Sequence, residues 1–210
     1  MLINVISGNN RKRKYGLFLE QLKPSKKDSI LDVGYSNIDD TGLANYLETY
    51  YPYPHNITAL GIESDDLFKK RYPLIKTVIY DGGVFPFADQ SFDIGWSNAV
   101  IEHVGDEQRQ LLFLSELHRT CRQLFFTTPN RYFPIEVHTR LPILHWLPKK
   151  IFDKLLSFTP KRWAAGEYMN LLSIRKTKKL LKKAGIDRYQ IYKNRFLGFT
   201  MDFCVIVHHS

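Results

Sequence analysis

Short apolar runs alternate with amphipathic stretches over the first 130 residues. Residues 29–34 (Ser-Ile-Leu-Asp-Val-Gly) form one such run, stopped by a glycine, and read as a buried strand. Residues 57–63 predict a second strand that ends in an acid. Residues 76–81 predict a third, 91–97 a fourth, and 124–128 a fifth that is closed by Pro129-Asn130. Between them the spacing predicts helices over 11–23, 41–50 and 106–120. In the last of these, Leu111, Leu112, Leu114, Leu117 and His118 fall near one face. Beyond residue 130 the pattern changes. Residues 131–170 are rich in proline, aromatics and lysine and predict no strand. A basic helix over 173–183 is stopped by Ala184-Gly185, and two last strands follow, near 189–194 and 202–208. Strands alternating with helices imply the α/β class and a mostly parallel sheet covered on both faces.

A chain of 210 residues with 44% hydrophobic and 24% charged positions is a globular domain that needs no staples. One domain over 1–210 is expected, with 131–172 as an insertion. The two cysteines, Cys121 and Cys204, sit in apolar runs, too few for a disulfide framework or a metal cluster, and predict buried free thiols. No run approaches the ~18 apolar residues that span a bilayer. Leu2, Ile3, Val5 and Ile6 precede the basic run at 11–14, the reverse of a secretory leader, so a soluble, cytoplasmic protein is expected. The net charge of +9 is unevenly spread: residues 1–30 carry +5, residues 31–130 carry −7, and residues 131–183 carry +10. Two basic segments around an acidic body suit an anionic partner such as a phosphorylated lipid or a membrane surface, or are simply solvated lysines. No nucleic-acid-binding module is recognisable, which argues against RNA.

In parallel sheets a ligand sits outside the carboxyl ends of the strands, at the switch in strand order. The polar residues at those ends are Asp32, Glu63, Asp81, Asn98 and Asn130. Gly34 permits close approach of backbone to a ligand. Glu63 offers only acceptors, which suits a ribose diol, and Asp81 can accept from an adenine amino group. A dinucleotide requires Gly-x-Gly-x-x-Gly after the first strand so that its pyrophosphate can rest on a helix N-terminus. Here only Gly34 is present, and Asp39 and Asp40 would repel the phosphates. An acid-rich loop suits a cationic sulfonium better.

Residues 30–34 (Ile-Leu-Asp-Val-Gly) resemble the first motif of the class I S-adenosylmethionine (SAM)-dependent methyltransferases, and Gly61-Ile62-Glu63 the second. The stretch Phe85-Pro86-Phe87-Ala88-Asp89-Gln90-Ser91-Phe92-Asp93, followed by Ser97-Asn98-Ala99-Val100-Ile101-Glu102-His103-Val104, is similar to the small-molecule (type 11-like) branch of that superfamily. The resemblance covers residues 29–130. It implies a Rossmann-like, doubly wound, mostly parallel seven-stranded sheet with a C-terminal antiparallel strand and a helical or loop lid after strand five. It also implies SAM as cofactor. Asp32, Gly34 and Ser36 would shape the loop under the methionine part, Glu63 would hold the ribose, Asp81 and Gly82 would border the adenine, and Asn98 would lie near the reacting methyl. Arg13 or Tyr15 would approach the SAM carboxylate. Phe87 and Phe92 would be core, and Asp93 a structural cap. Ser36 replaces the second glycine of the family's Gly-x-Gly, and a positive φ there would cost it about 1 kcal/mol or more. That departure leaves a second reading, a methyltransferase fold kept as a non-catalytic binding or scaffold protein.

For a hydroxyl acceptor a general base is useful. His103, Glu136, His138 and His145 are the candidates; Glu136 and His138 alternate, share a face in extended chain, and can act as base and orienter. A metal is not expected there. Residues 141–163 read as a lid, with Ile151, Phe152, Leu155 and Leu156 at helical spacing opposite Lys149, Lys150, Asp153 and Lys154. Such a lid suits a small-molecule or glycolipid acceptor and a peripheral anionic membrane contact. The acceptor and the atom methylated are not legible.

Overall fold

The computed structural model describes residues 2–39, 42–135, 139, 141–166 and 169–208, with side chains from residue 6 onward. Seven strands form one sheet: β1 (Ile30–Val33), β2 (Ile57–Gly61), β3 (Lys76–Ile79), β4 (Phe92–Asn98), β5 (Cys121–Pro129), β6 (Tyr189–Phe196) and β7 (Phe199–His208). Their order is β3-β2-β1-β4-β5-β7-β6. The pairs from β3 to β5 are parallel, and β7 runs antiparallel to both its neighbours. This is the doubly wound, Rossmann-like sheet that the resemblance implied, with the mostly parallel pairing expected from the alternation of strands and helices. The order reverses between β1 and β4, which opens a crevice at their carboxyl ends.

Side-chain alternation along each strand feeds two cores. On one face Ile30, Ile94, Trp96, Phe125 and Ile206 pack against α1 (Leu2–Leu22), α2 (Tyr46–Tyr50) and α3 (Asp66–Arg71), through Phe18, Leu47 and Phe68. On the other face Leu31, Val33, Leu124, Phe126 and Val205 meet α4 (Glu107–Thr120) and α6 (Ile174–Lys183), through Phe113, Leu114, Leu117, Leu180 and Leu181. Asp106 caps α4 by accepting from the Arg109 amide, and Ser173 caps α6 by accepting from the Lys176 amide. Gly185 takes φ +72° just past α6.

The Phe85–Asp93 stretch is a strap fastened to α4. Arg119 donates to the Phe85 and Phe87 carbonyls and pairs with Glu116 and Asp89, while Glu116 accepts from the Phe85 amide. Phe87 and Phe92 pack edge to face, and Asp93 accepts from the Ser29 amide and hydroxyl, tying the starts of β4 and β1.

Several elements differ from the sequence expectation: α1 begins at Leu2 rather than residue 11, β6 runs on to Phe196, and β7 begins at Phe199 rather than residue 202. The helix expected from residue 41 is α2 alone, Tyr46–Tyr50, because the preceding chain winds around the Asp39 carboxylate instead. The short α3 was not foreseen; Asn37, thirty residues upstream, accepts from the Leu67 and Phe68 amides at its start. β5 is nine residues long rather than five, matched by its antiparallel partner β7.

Between β5 and α6 lies the insertion. It carries α5 (Lys149–Ser157), whose Phe152 and Leu156 pack with Ala164 and Met169 in a small core of their own. Its roots are fixed: the Arg131 amide donates to Leu172 O, and Gln110 donates to both Ile101 O and Asn170 O. Cys121 and Cys204 are buried free thiols, both pushed up to about 12 by burial. Among the described residues no helix is long and apolar enough to cross a membrane, and no group of side chains is arranged to hold a metal ion.

Candidate functional site

The chain leaves β1 through Gly34, whose φ is +101°. A Cβ built there would lie 2.3 Å from Val100 Cγ2 and 2.9 Å from its Cγ1, so only glycine fits beneath the β4 exit loop. That loop is itself bent: Ala99 takes φ +59°, an uncommon conformation for alanine, between Asn98 and Val100. The next residue, Tyr35, points away from the crevice into the α1–α3 core. Its ring packs 4.5 Å from Phe68 and lies over Gly61, where a Cβ would come within 2.5 Å of it. Its hydroxyl donates to the Glu63 carbonyl, so this one side chain braces the β1 loop against the end of β2.

Ser36 is not among the residues with positive φ, so the anticipated strain is absent. Asn45 holds it instead, donating to the Ser36 carbonyl and accepting from the Ser36 amide, both at 2.8 Å. Asp39 accepts from the Leu43 and Asn45 amides. Burial alone would raise its carboxyl, but these amides and nearby Arg71 outweigh burial and hold it below the usual range. Asp39 is therefore a loop-builder; Asp40 lies outside the described residues.

Asp32 is buried, and its carboxyl meets that of Glu48 on α2, buried likewise. Burial, then the Glu48 charge and hydrogen bond, push Asp32 well above the usual carboxylate range, and burial raises Glu48 also. Two acids under one loop thus share a proton. The pair underpins the turn from within.

Glu63 sits two residues past β2 and is exposed, as is Ile62 beside it. Gly82, with φ +83°, faces Ile62: a Cβ there would lie 3.7 Å from Ile62 Cγ2. Asp81 accepts from the Gly83 amide, shaping the turn after β3. Ile62 and Val84, in the two turns that carry Glu63 and Asp81, are exposed apolar side chains.

On the other side of the switch point lies a group that sequence reasoning missed. Along α1 the residues at every fourth position, Asn10, Lys14, Phe18 and Leu22, are buried. The lower half is apolar and covers the core; the upper half is polar and covers the strand ends. Lys14 Nζ pairs with Asp202 at 3.1 Å, the two side chains 5% and 3% exposed. It also donates to Asn98 Oδ1 and Thr127 Oγ1, at 3.3 and 3.4 Å. Thr127 in turn donates to Asn98 Oδ1, and Asn10 donates to Asp202. With its oxygen taken by two donors, Asn98 has its amide N–H groups to offer a ligand. Arg11, one residue past Asn10, is mostly buried; its Nε has no hydrogen-bond partner, and the Asp202 and Asp39 charges act on it. Burial lowers its guanidinium and those two acids oppose the shift.

Arg13 and Tyr15, expected to approach the SAM carboxylate, and His103 and His145, expected as candidate bases, have other partners. Arg13 donates to the Arg195 carbonyl and Tyr15 to the Tyr50 carbonyl. His145, a candidate base, is buried with Nε2 2.9 Å from the Phe133 carbonyl, and so fastens the insertion. His103 lies 4.0 Å from buried Glu102 in the β4 exit loop. Glu136 and His138 lie outside the described residues.

The comparisons with known proteins fall on the same elements. Residues 41–124 match a family model described as a methyltransferase domain. A SAM-dependent methyltransferase from Methanosarcina mazei superposes with a TM-score of 0.58 at 14% identity, over 89% of this chain and 94% of that one. One from Aquifex aeolicus gives 0.55 at 14% identity, over 91% and 87%. Residues 41–124 thus match a methyltransferase domain, and the chain has the fold of the SAM-dependent methyltransferases it superposes on. The CurJ carbon methyltransferase gives 0.59 at 15% identity, with 96% of this chain covering 54% of that one. No curated protein matches the chain in sequence.

SAM is the cofactor that this domain and fold indicate. The residues present fit it on three counts. The Gly34 turn passes under Val100 at the switch point with room only for glycine, Glu63 presents an exposed carboxylate next to exposed Ile62, and the Arg11 guanidinium keeps an unspent donor at Nε.

Proposed function

We propose that this methyltransferase domain transfers a methyl group from SAM to a small-molecule or lipid- or sugar-linked acceptor. The observation that carries the reading is the pairing of a glycine-only turn at Gly34, beside the switch point, with the exposed carboxylate of Glu63 past the end of the neighbouring strand β2. In this reading Glu63 accepts from the ribose hydroxyls, Ile62, Asp81 and Gly82 border the purine, and Arg11 meets the methionine carboxylate. Asn98, fixed by Lys14 and Thr127, offers its N–H groups on the methyl side. SAM supplies an electrophilic methyl group on a sulfonium. The chain supplies orientation and a dry approach, the larger share of what such a displacement needs from a protein. For a hydroxyl acceptor we assign Glu136 and His138 as base and orienter. Buried thiols fit a cytoplasmic setting.

The test is calorimetric titration with SAM and S-adenosylhomocysteine, beside Glu63→Ala. A charge-assisted hydrogen bond is worth about 1.5–3 kcal/mol, so the variant should bind about ten- to a hundredfold more weakly while folding normally. No heat from either ligand in the wild type would refute the reading and leave the non-catalytic scaffold.

A further inference from the structure

The insertion carries more apolar surface than its fold requires. Helical geometry at 100° per residue places Ile151, Leu155 and Phe158 within about 60° of one another. Phe152 and Leu156, which anchor α5, lie on a different arc and are buried. The first three are exposed, Phe158 by 79%. Ile143, Trp146, Leu147 and Trp163 continue the exposed apolar surface on either side of the helix in the chain. Phe152 and Leu156 bury this segment's own core, and among the described residues the outer stripe is no part of it.

Charge says what covers it. Residues 141–166 hold five basic residues and one acid. The acid, Asp153, is taken by Lys149. Lys150 and Lys154 are exposed and flank the Ile151–Phe158 stripe on one side, and Lys161 and Arg162 follow it. An apolar ridge rimmed by cations, with two half-exposed tryptophans, matches the boundary between headgroups and acyl chains of an anionic bilayer. A second protein copy would have to bury those cations against a surface that is itself basic here.

We propose that α5 and its flanking turns form a docking surface for anionic phospholipid membranes. The apolar stripe enters the acyl boundary and the lysines meet the headgroups, their stems lying along the interface. Because the insertion springs from the carboxyl end of β5, docking places the crevice mouth next to the lipid surface. The inference needs no cofactor and stands apart from the proposed reaction.

Vesicles of phosphatidylcholine with and without phosphatidylglycerol are the probe. The full chain should sediment with the anionic vesicles, not with the neutral ones, and high salt should release it. Trp146 and Trp163 should shift their emission to the blue on binding, while Trp96, already buried, stays constant. Phe158→Ser, at a position that contributes little to the core, and Lys150→Glu with Lys154→Glu should each weaken partitioning about tenfold. Circular dichroism should show both variants folded. No sedimentation with anionic vesicles, equal binding to neutral ones, or unchanged binding by both variants would overturn the proposal. So would a concentration-dependent dimer that Phe158→Ser abolishes in the absence of vesicles.

Discussion

Gly34→Ala tests the geometry at the centre of the site. The added methyl group would meet Val100 Cγ2 at 2.3 Å and Cγ1 at 2.9 Å, both inside any tolerable contact. Val100 follows Ala99, whose left-handed backbone gives it little room to retreat. Overpacking of this kind costs about 1–3 kcal/mol, and holding alanine at φ +101° adds about 1–2 kcal/mol. The total of about 2–5 kcal/mol is a large share of the about 5–15 kcal/mol that holds such a domain. For a chain of this size Tm should fall by about 4–20 °C. Urea denaturation of Gly34→Ala, Val100→Ala and the double variant separates the two terms. Val100→Ala removes both Cγ atoms and so should recover about 1–3 kcal/mol in the double variant, leaving the backbone term behind. Recovery stays incomplete because Val100 Cβ lies 3.2 Å from the added methyl. Calorimetry on the same proteins should show SAM binding lost in Gly34→Ala. A Gly34→Ala protein within about 0.5 kcal/mol of wild type, or a coupling below that value, would refute the close approach of the two loops.

Two further predictions follow from buried charges. Lys14→Met strips buried Asp202 of its ion-pair partner, leaving Asn10 and the Arg11 charge, and should destabilise the fold by about 3–5 kcal/mol by urea titration, with Asp202→Asn restoring part of it; independent effects would refute the pairing. The Asp32–Glu48 pair should make stability fall as pH rises. Its raised carboxyl keeps a proton in the folded chain that the unfolded chain loses near pH 4. Below that pH both states are protonated and nothing is lost; above it stability falls by up to about 1.4 kcal/mol per pH unit until the folded group ionises. Asp32→Asn should flatten that slope between pH 5 and pH 8, read from denaturant midpoints; an unchanged slope would refute the shared proton.

The periodic pattern of the chain determined the α/β class, the strand sequence and the position of the insertion. A buried strand and an amphipathic helix each satisfy their own backbone and show their buried faces locally. The positions of Glu63, Asp81 and Asn98 were legible for a related reason: polar residues at the ends of apolar strands fall on one edge of any such sheet, and Gly34 marks where the first strand stops. The motif around residues 85–104 was legible as a pattern, but its role as a strap held by Arg119 was not, because the partners are carbonyls with no sequence signal.

Tertiary structure decided the rest. Lys14 reads as one cation in a basic run; only the fold brings Asp202, 188 residues away, and Asn98 to it. Ser36 reads as a defect in the first motif, yet Asn45 pins it in an unstrained backbone. Tyr35 is admitted beside the first motif only because Gly61 and Phe68 face it from other elements. Local periodicity is written along the chain, whereas the partner of a buried polar group is set by which strand lies next to which.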